Sequence, residues 1–255
     1  MDLHVERRGH GPAVLWIHGY TMDSRLWYPL WDLLPGFRHV GVDLPGHGRS
    51  GPFRPGETLP GLAGRIAEVA RAEQARRLVA LSFGSCVALE MAAAYPDAVG
   101  RLAVAAPTIA GAAPADDAAS REMQLAMLYR MAGPGPHMTR LWMTSPPDIF
   151  LGTEQHPELR DRVRQVVDAH SWQALASGAM RSLVAHVHTD EALGGIGAAT
   201  LIITGDQDMP AFAANASRLA AVIPGCRHLR VPRAGHLCLL ERPDEVVGSL
   251  AAHLA

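Results

Sequence analysis

The 255-residue chain contains no lysine, and all 23 of its basic residues are arginine. The arginines are scattered among 25 acidic residues, for a net charge of −2. No basic block is present to follow a nucleic-acid backbone, and no acidic tail to hold a polycation, so neither partner is expected. Cysteine is scarce. Cys86, Cys226 and Cys238 are odd in number and have no CxxC spacing, which argues against a disulfide framework and predicts free, buried thiols in a reducing compartment. No apolar run is long enough to span a bilayer. The nearest, LAVAAPTIAGAAPA, is short and broken by two prolines, so no membrane partner is expected. The first residues, MDLHVERRGHG, are charged and lack the apolar core of a signal peptide, which points to the cytoplasm.

What is present reads as an ordinary globular composition, 48% hydrophobic, near the upper length for one domain and with room for an inserted subdomain. Continuous apolar runs closed by Gly, Pro or Asp predict buried strands at AVLWIHG (13–19), HVGVDLPG (39–46), RLVALS (77–82), RLAVAAP (101–107), TLIITGD (200–206) and RHLRVP (227–232). Helical patterns fall between them, at 24–34, 58–74, 83–95, 211–222 and 243–254. Strict alternation of strand and helix predicts a mostly parallel α/β sheet covered on both faces. LHVERRG at the start would add an antiparallel edge strand. From 110 to 193 the rhythm breaks into Ala-, Met- and Arg-rich helical stretches separated by GPGP and SPPD. This divides the chain into a core, 1–109 with 194–255, and a helical insertion at 110–193.

In open α/β sheets, ligands bind beyond the carboxyl ends of the strands. The residues standing there include His18-Gly19-Tyr20, Asp43 to Gly48, Ser82-Phe83-Gly84, Asp206-Gln207-Asp208 and Gly235-His236. Ser82 alone has two readings, helix N-cap or nucleophile. LVALSFGSC is an imperfect match to the strand–turn–helix elbow G-x-S-x-G, because Ala80 replaces the first glycine while Gly84 supplies the second. Ser, Asp and His nevertheless follow one another in the chain order that accompanies that elbow.

Together, HGYTMDSRLW, DLPGHGRS, ALSFGS, LIITGDQD and PRAGHLCLLERPDEV resemble the α/β-hydrolase superfamily over nearly the whole chain. The resemblance implies a mostly parallel eight-stranded sheet flanked by helices, with a helical lid (cap) at 110–193. It also implies a catalytic triad of Ser82, Asp208 and His236, with Asp208 preferred over Asp206 as the acid. The histidine would take the serine proton, and the aspartate would fix the imidazole tautomer. Backbone N–H groups of Phe83 and Tyr20 would form the oxyanion hole. The implied activity is cleavage of a carboxylic ester, lactone or thioester without a cofactor, by a monomer or homodimer acting on a small molecule. A same-fold C–C hydrolase or lyase, and a non-catalytic ligand-binding protein, are the alternatives.

His18, Asp43 and His47 read as loop-bonding residues rather than reactive ones, and Met22 and Trp27 as helix packing. His186 and His188 have a spacing that metals use, but no third ligand is apparent, so no metal is expected. In the insertion, Met123, Met127 and Met131 recur every four residues, on one helix face. That stripe would either roof an apolar acyl or polyketide-like pocket or form the insertion's own core. Met127, Trp142 and Trp172 are candidate pocket residues. No arginine is placed by a motif to clamp a carboxylate or phosphate, although Arg121, Arg130, Arg140 and Arg181 in the insertion could do so.

Overall fold

The computed structural model describes residues 3–112, 118–144 and 148–255. The Ala/Pro-rich stretch 113–117, the SPP of the second insertion break, and the side chains of Met180 and Arg181 lie outside the described residues. Seven strands form one sheet: β1 (Val5–Gly9), β2 (Ala13–Ile17), β3 (Arg38–Val42), β4 (Arg77–Leu81), β5 (Arg101–Ala105), β6 (Ala199–Gly205) and β7 (Arg227–Val231). Their spatial order is β1-β3-β2-β4-β5-β6-β7. All six strands expected from apolar runs are present, and β1 pairs antiparallel with β3 as the edge strand, while the other pairs are parallel. The sheet has seven strands among the described residues where eight were expected.

Alternation along the strands sends side chains to two cores. Leu15, Ile17, Val40, Val42, Leu78, Ala80, Leu102 and Val104 face one way. There they meet α2 (Leu59–Ala72) and α3 (Phe83–Ala94) through Leu62, Ile66, Cys86 and Val87. Val14, Trp16, Val79, Leu81, Ala103 and Ile203 face the other way, onto a 3-10 turn at Ser24–Trp27, a short helix at Tyr28–Asp32 and the last helix, Pro243–Leu254. Such runs read as continuous hydrophobicity because both sheet faces are covered. The chain leaves β2 for β3 on one side and reaches β4 on the other. The crevice between β2 and β4 is therefore the switch point of the sheet, where ligand sites form in this architecture.

Between β5 and β6 no strand occurs among the described residues; the segment is helical, with longer helices at Ala118–Ala132, Pro136–Met143 and Pro157–Asp168. Its two ends are clasped together: the His188 N–H donates to the Ala110 carbonyl at 3.0 Å, and the Ala110 N–H donates to His188 Nδ1 at 3.2 Å. No helix among the described residues is long and apolar enough to cross a membrane. Cys86 and Cys238 are free and buried as expected, whereas Cys226 is partly exposed.

One buried histidine ties β3 to the aromatic side of the core. His39 Nδ1 accepts from the Trp16 indole at 3.1 Å, so its Nε2 carries the proton and donates to the Leu34 carbonyl at 3.0 Å. Burial holds its pKa down at about 4. Below pH 6.5 the unfolded chain therefore takes up a proton that the folded chain refuses, and stability falls as pH drops from about 6.5 toward 4. We expect the melting temperature to fall by roughly 5 °C between pH 7 and pH 5 in the wild type. A smaller fall is expected in His39→Gln, with both read by calorimetry.

Candidate active site

The turn from β4 into α3 is held in a conformation L-residues avoid. Ser82 has φ 53° and ψ −123°, a strain of about 1–3 kcal/mol. Its N–H is fixed to the Ala105 carbonyl at 2.9 Å, and its carbonyl accepts from the Ser85 N–H at 2.8 Å and the Ser85 hydroxyl at 2.5 Å. Ser85 Oγ in turn accepts from the Thr108 N–H at 2.9 Å. The Ser82 hydroxyl makes no capping bond, although the residue occupies the N-cap position. Gly84 explains the tightness: a Cβ there would lie 2.5 Å from the carbonyl oxygens of both Ile17 and His18. The first turn of α3 thus rests directly on the end of β2. Ala80, in place of the motif's first glycine, is fully buried.

The loop after β2 comes equally close. A Cβ on Gly19 would stand 3.3 Å from the Ser82 Cβ. His18 sets the direction of the next peptide. Its Nε2 accepts from the Leu44 N–H at 2.9 Å, so Nδ1 carries the proton and donates to the Gly19 carbonyl at 2.8 Å. Burial keeps the ring neutral by lowering its pKa. In a trans peptide the carbonyl and the following N–H point in opposite directions. Fixing the Gly19 oxygen therefore aims the Tyr20 N–H the other way. Among the described residues neither the Tyr20 nor the Phe83 N–H has an acceptor. Asp43, expected to bond loop backbone, accepts from the Ser24 and Arg49 N–H groups at 2.8 and 2.9 Å.

Beyond β6 and β7 the two segments that leave these strands meet. A Cβ on Gly205 would collide with the carbonyl oxygens of Ala234 and Gly235, so this glycine lets the β6 end and the β7 loop pack backbone to backbone. His236 Nδ1 lies 3.1 and 3.2 Å from the two Asp208 carboxylate oxygens, both side chains being almost fully buried. Asp208 Oδ1 also accepts from the Met209 N–H at 2.7 Å. His236 Nε2 is buried with no hydrogen-bond partner among the described residues. Asp206 instead receives the Ala234 N–H at 3.4 Å. β5 lies between β4 and β6, so about 10 Å separates the serine turn from the aspartate loop, a gap an imidazole is suited to bridge.

Two acids went unread in the sequence. Glu241, buried, accepts from the Gly235 N–H at 2.6 Å and the Leu237 N–H at 3.0 Å, so its carboxylate brackets His236 from both sides. The glutamate five residues after the histidine is the only sequence signal for it. Glu90, on α3, places Oε2 3.1 Å from His186 Nε2 and 3.2 Å from His188 Nε2. This is the third potential ligand that sequence spacing did not reveal, since it lies nearly 100 residues away. Because His188 Nδ1 accepts the Ala110 N–H, Nε2 carries the proton and offers a metal no lone pair. The cluster braces the clasp at residues 110 and 188.

The inserted helices divide the predicted pocket residues. Met123, Met127 and Met131 are 61%, 56% and 83% exposed, so the stripe faces outward, and Met127 with it, rather than roofing a pocket or forming a core. Trp142 and Trp172 are buried. The Trp142 indole donates to Thr21 Oγ1 at 2.8 Å, and its ring meets Tyr20 edge to face at 5.7 Å. Thr21, β-branched, is held at φ 63°.

Residues 14–249 match the model of the Alpha/beta hydrolase family. The pimeloyl-[acyl-carrier protein] methyl ester esterase of Xanthomonas campestris pv. campestris (strain B100) is 30% identical over 99% of both chains. Lipase LipV of Mycobacterium tuberculosis is 39% identical over 50% of this chain and 49% of its own. Among solved structures, a hydrolase from Pseudomonas aeruginosa aligns with TM-score 0.82 at 25% identity, covering 99% of this chain and 94% of the other. MenH from S. aureus aligns with TM-score 0.84 at 21% identity, covering 98% and 97%, a likeness of fold.

Replacing Glu241 by Ala would leave two buried N–H groups without an acceptor, a loss of about 2–4 kcal/mol. We expect Glu241→Ala to melt roughly 5–12 °C below the wild type. Asp206→Asn, which keeps an acceptor for Ala234, should stay within about 2 °C. Differential scanning calorimetry reads both.

Proposed function

Because the chain belongs to the alpha/beta hydrolase family, we propose that it hydrolyses a carboxylic ester through an acyl-enzyme on Ser82. One observation carries the reading: His236 spends Nδ1 on Asp208 and keeps Nε2 buried and unpartnered, beyond the carboxyl ends of the strands, where the strained serine also stands. Ser82 Oγ attacks the ester carbonyl while its proton passes to His236 Nε2. Asp208 holds the tautomer with Nε2 free and stabilises the imidazolium. The oxyanion is received by the N–H groups of Phe83 and Tyr20. Both are without an acceptor among the described residues, and such a donor contributes about 3–4 kcal/mol to transition-state stabilisation. The imidazolium then returns its proton to the departing alkoxide as the C–O bond breaks. Water, deprotonated by His236, releases the acid in the second half.

The insertion at 110–193 acts as the lid over this site, with Trp142 and Trp172 as its inner wall. The full-length relative is named for a methyl ester of a carrier-borne acyl chain, which makes small methyl esters the first substrates to try. Neither a metal nor an organic cofactor enters any step.

A fluorophosphonate probe should label the wild-type protein at Ser82, located by mass mapping, and leave Ser82→Ala unlabelled. On p-nitrophenyl esters, His236→Ala should abolish turnover and Asp208→Asn should lower kcat about 10⁴-fold. Asp206→Asn should retain most activity. A wild-type protein that resists the probe while a control serine hydrolase is labelled would sink the reading.

A further inference from the structure

Beside Tyr20 lies a cluster of buried polar groups that the triad leaves unused. His47, in the loop after β3, and His170, after the helix Pro157–Asp168, are 1% and 5% exposed. Their ring centroids are 4.6 Å apart, and each ring lies 5.6 Å from that of Tyr20. Three separate stretches of chain therefore bring their rings to one spot. The Ser171 hydroxyl donates to the Gly46 carbonyl at 3.2 Å and fixes the insertion's share of the cluster onto the loop that carries His47. Trp172 against His170 at 5.0 Å and Trp142 against Tyr20 complete an aromatic wall. Tyr20 Oη, His47 Nε2 and both ring nitrogens of His170 are buried without a hydrogen-bond partner among the described residues. Four such atoms at one place are costly to leave unmatched, because buried polar groups are normally paired.

Their hydrogen-bonding capacity specifies what would pair them. His47 Nδ1 lies 2.8 Å from the Pro45 carbonyl oxygen, which can only accept. Nδ1 therefore carries the ring proton, and Nε2 presents a lone pair. Burial, with His170 and His18 nearby, pushes the His47 pKa well below its usual range, and burial holds His170 at about 3. Both rings are thus neutral at pH 7. Burial also raises the Tyr20 pKa, so its hydroxyl keeps its proton. A carboxylate or phosphate would set its own lone pairs against that of His47 Nε2. An alkyl group would leave all four atoms unmatched. A group that both donates and accepts fits: its O–H answers His47, and its oxygen accepts from Tyr20 or His170.

We propose that Tyr20 Oη, His47 Nε2 and the His170 imidazole form a recognition site for a neutral hydroxyl group on the substrate. The assignment rests on the ester-hydrolase reading and adds a substrate class to it, hydroxyl-bearing esters. Tyr20 places the site one side chain away from the proposed oxyanion N–H, so the hydroxyl would sit within a few bonds of the ester carbonyl, on either its acyl or its alcohol side.

Matched ester pairs that exchange the hydroxyl for a methyl group test this and separate the two sides. Methyl 3-hydroxybutanoate against methyl 3-methylbutanoate probes the acyl side, and 2-hydroxyethyl butanoate against propyl butanoate the alcohol side. In wild type, kcat/KM for the hydroxylated member of at least one pair should exceed that of its partner tenfold or more. His170→Leu should cut that ratio at least fivefold, and His170→Gln, which restores a donor and an acceptor, should recover most of it. Should His170→Leu fail to fold, Tyr20→Phe, which removes only Oη, takes its place. No preference in either pair, as for a cluster that holds only water, or a ratio unchanged in His170→Leu, overturns the proposal. If no ester is turned over at all, the hydrolase reading fails instead. The site is then judged by calorimetric binding of the same pairs to Ser82→Ala protein. There, at least fivefold tighter binding of a hydroxylated ester, lost in Ser82→Ala/His170→Leu, sustains the site, and equal binding overturns it.

Discussion

A methyl group on residue 84 would stand 2.5 Å from two carbonyl oxygens at the end of β2. That close approach, open only to glycine, brings the first turn of α3 onto the loop that carries Gly19 and Tyr20. Ser82, at this junction of strand and helix, is held at φ 53°. The strain of about 1–3 kcal/mol is offset by two cores built from alternating strand residues, which fix the strand ends at the switch point. Gly205 repeats the device at the other side of the site, where the β6 end and the β7 loop pack backbone against backbone.

Much of this was legible in the sequence because buried parallel strands must be apolar throughout. The runs located all six parallel strands. They misjudged where strands end. HVGVDLPG reads as apolar to Leu44, yet β3 stops at Val42. There Asp43 turns its carboxylate to the Ser24 and Arg49 amides, and the Leu44 N–H leaves the sheet for His18. The Ser, Asp and His of the candidate site were found by their place after strands and by family resemblance. The methionine stripe failed because a four-residue period reports one helix face without saying which way it looks. Glu241 and Glu90 failed because their partners are set by folding. Glu90 is the one charged residue in the apolar run FGSCVALEMAAA, which hints at burial but not at its partners, and Glu241 has no comparable signal.

Histidine does much of the fixing in this chain. His39, His47 and His188 each spend one ring nitrogen on a backbone partner, which decides the role left to the other, and His18 spends both. In a neutral imidazole, assigning one nitrogen as donor makes the other an acceptor and the reverse, and burial keeps the ring from taking a second proton. His236 follows the same logic with a carboxylate in place of the backbone. The ring nitrogen left over faces the candidate site in His236 and the polar cluster beside it in His47.

The single hydrogen bond from Trp142 to Thr21 ties the inserted helices to the loop that also supplies the Tyr20 N–H. Thr21 is β-branched and left-handed, so it needs outside support to stay where it is. Lifting the helix Pro136–Met143 would cost the indole N–H its acceptor, while the Thr21 hydroxyl keeps the Tyr20 carbonyl at 2.7 Å. On the proposed reading, moving the inserted helices and loosening the loop that carries the Tyr20 N–H would be coupled through that one bond.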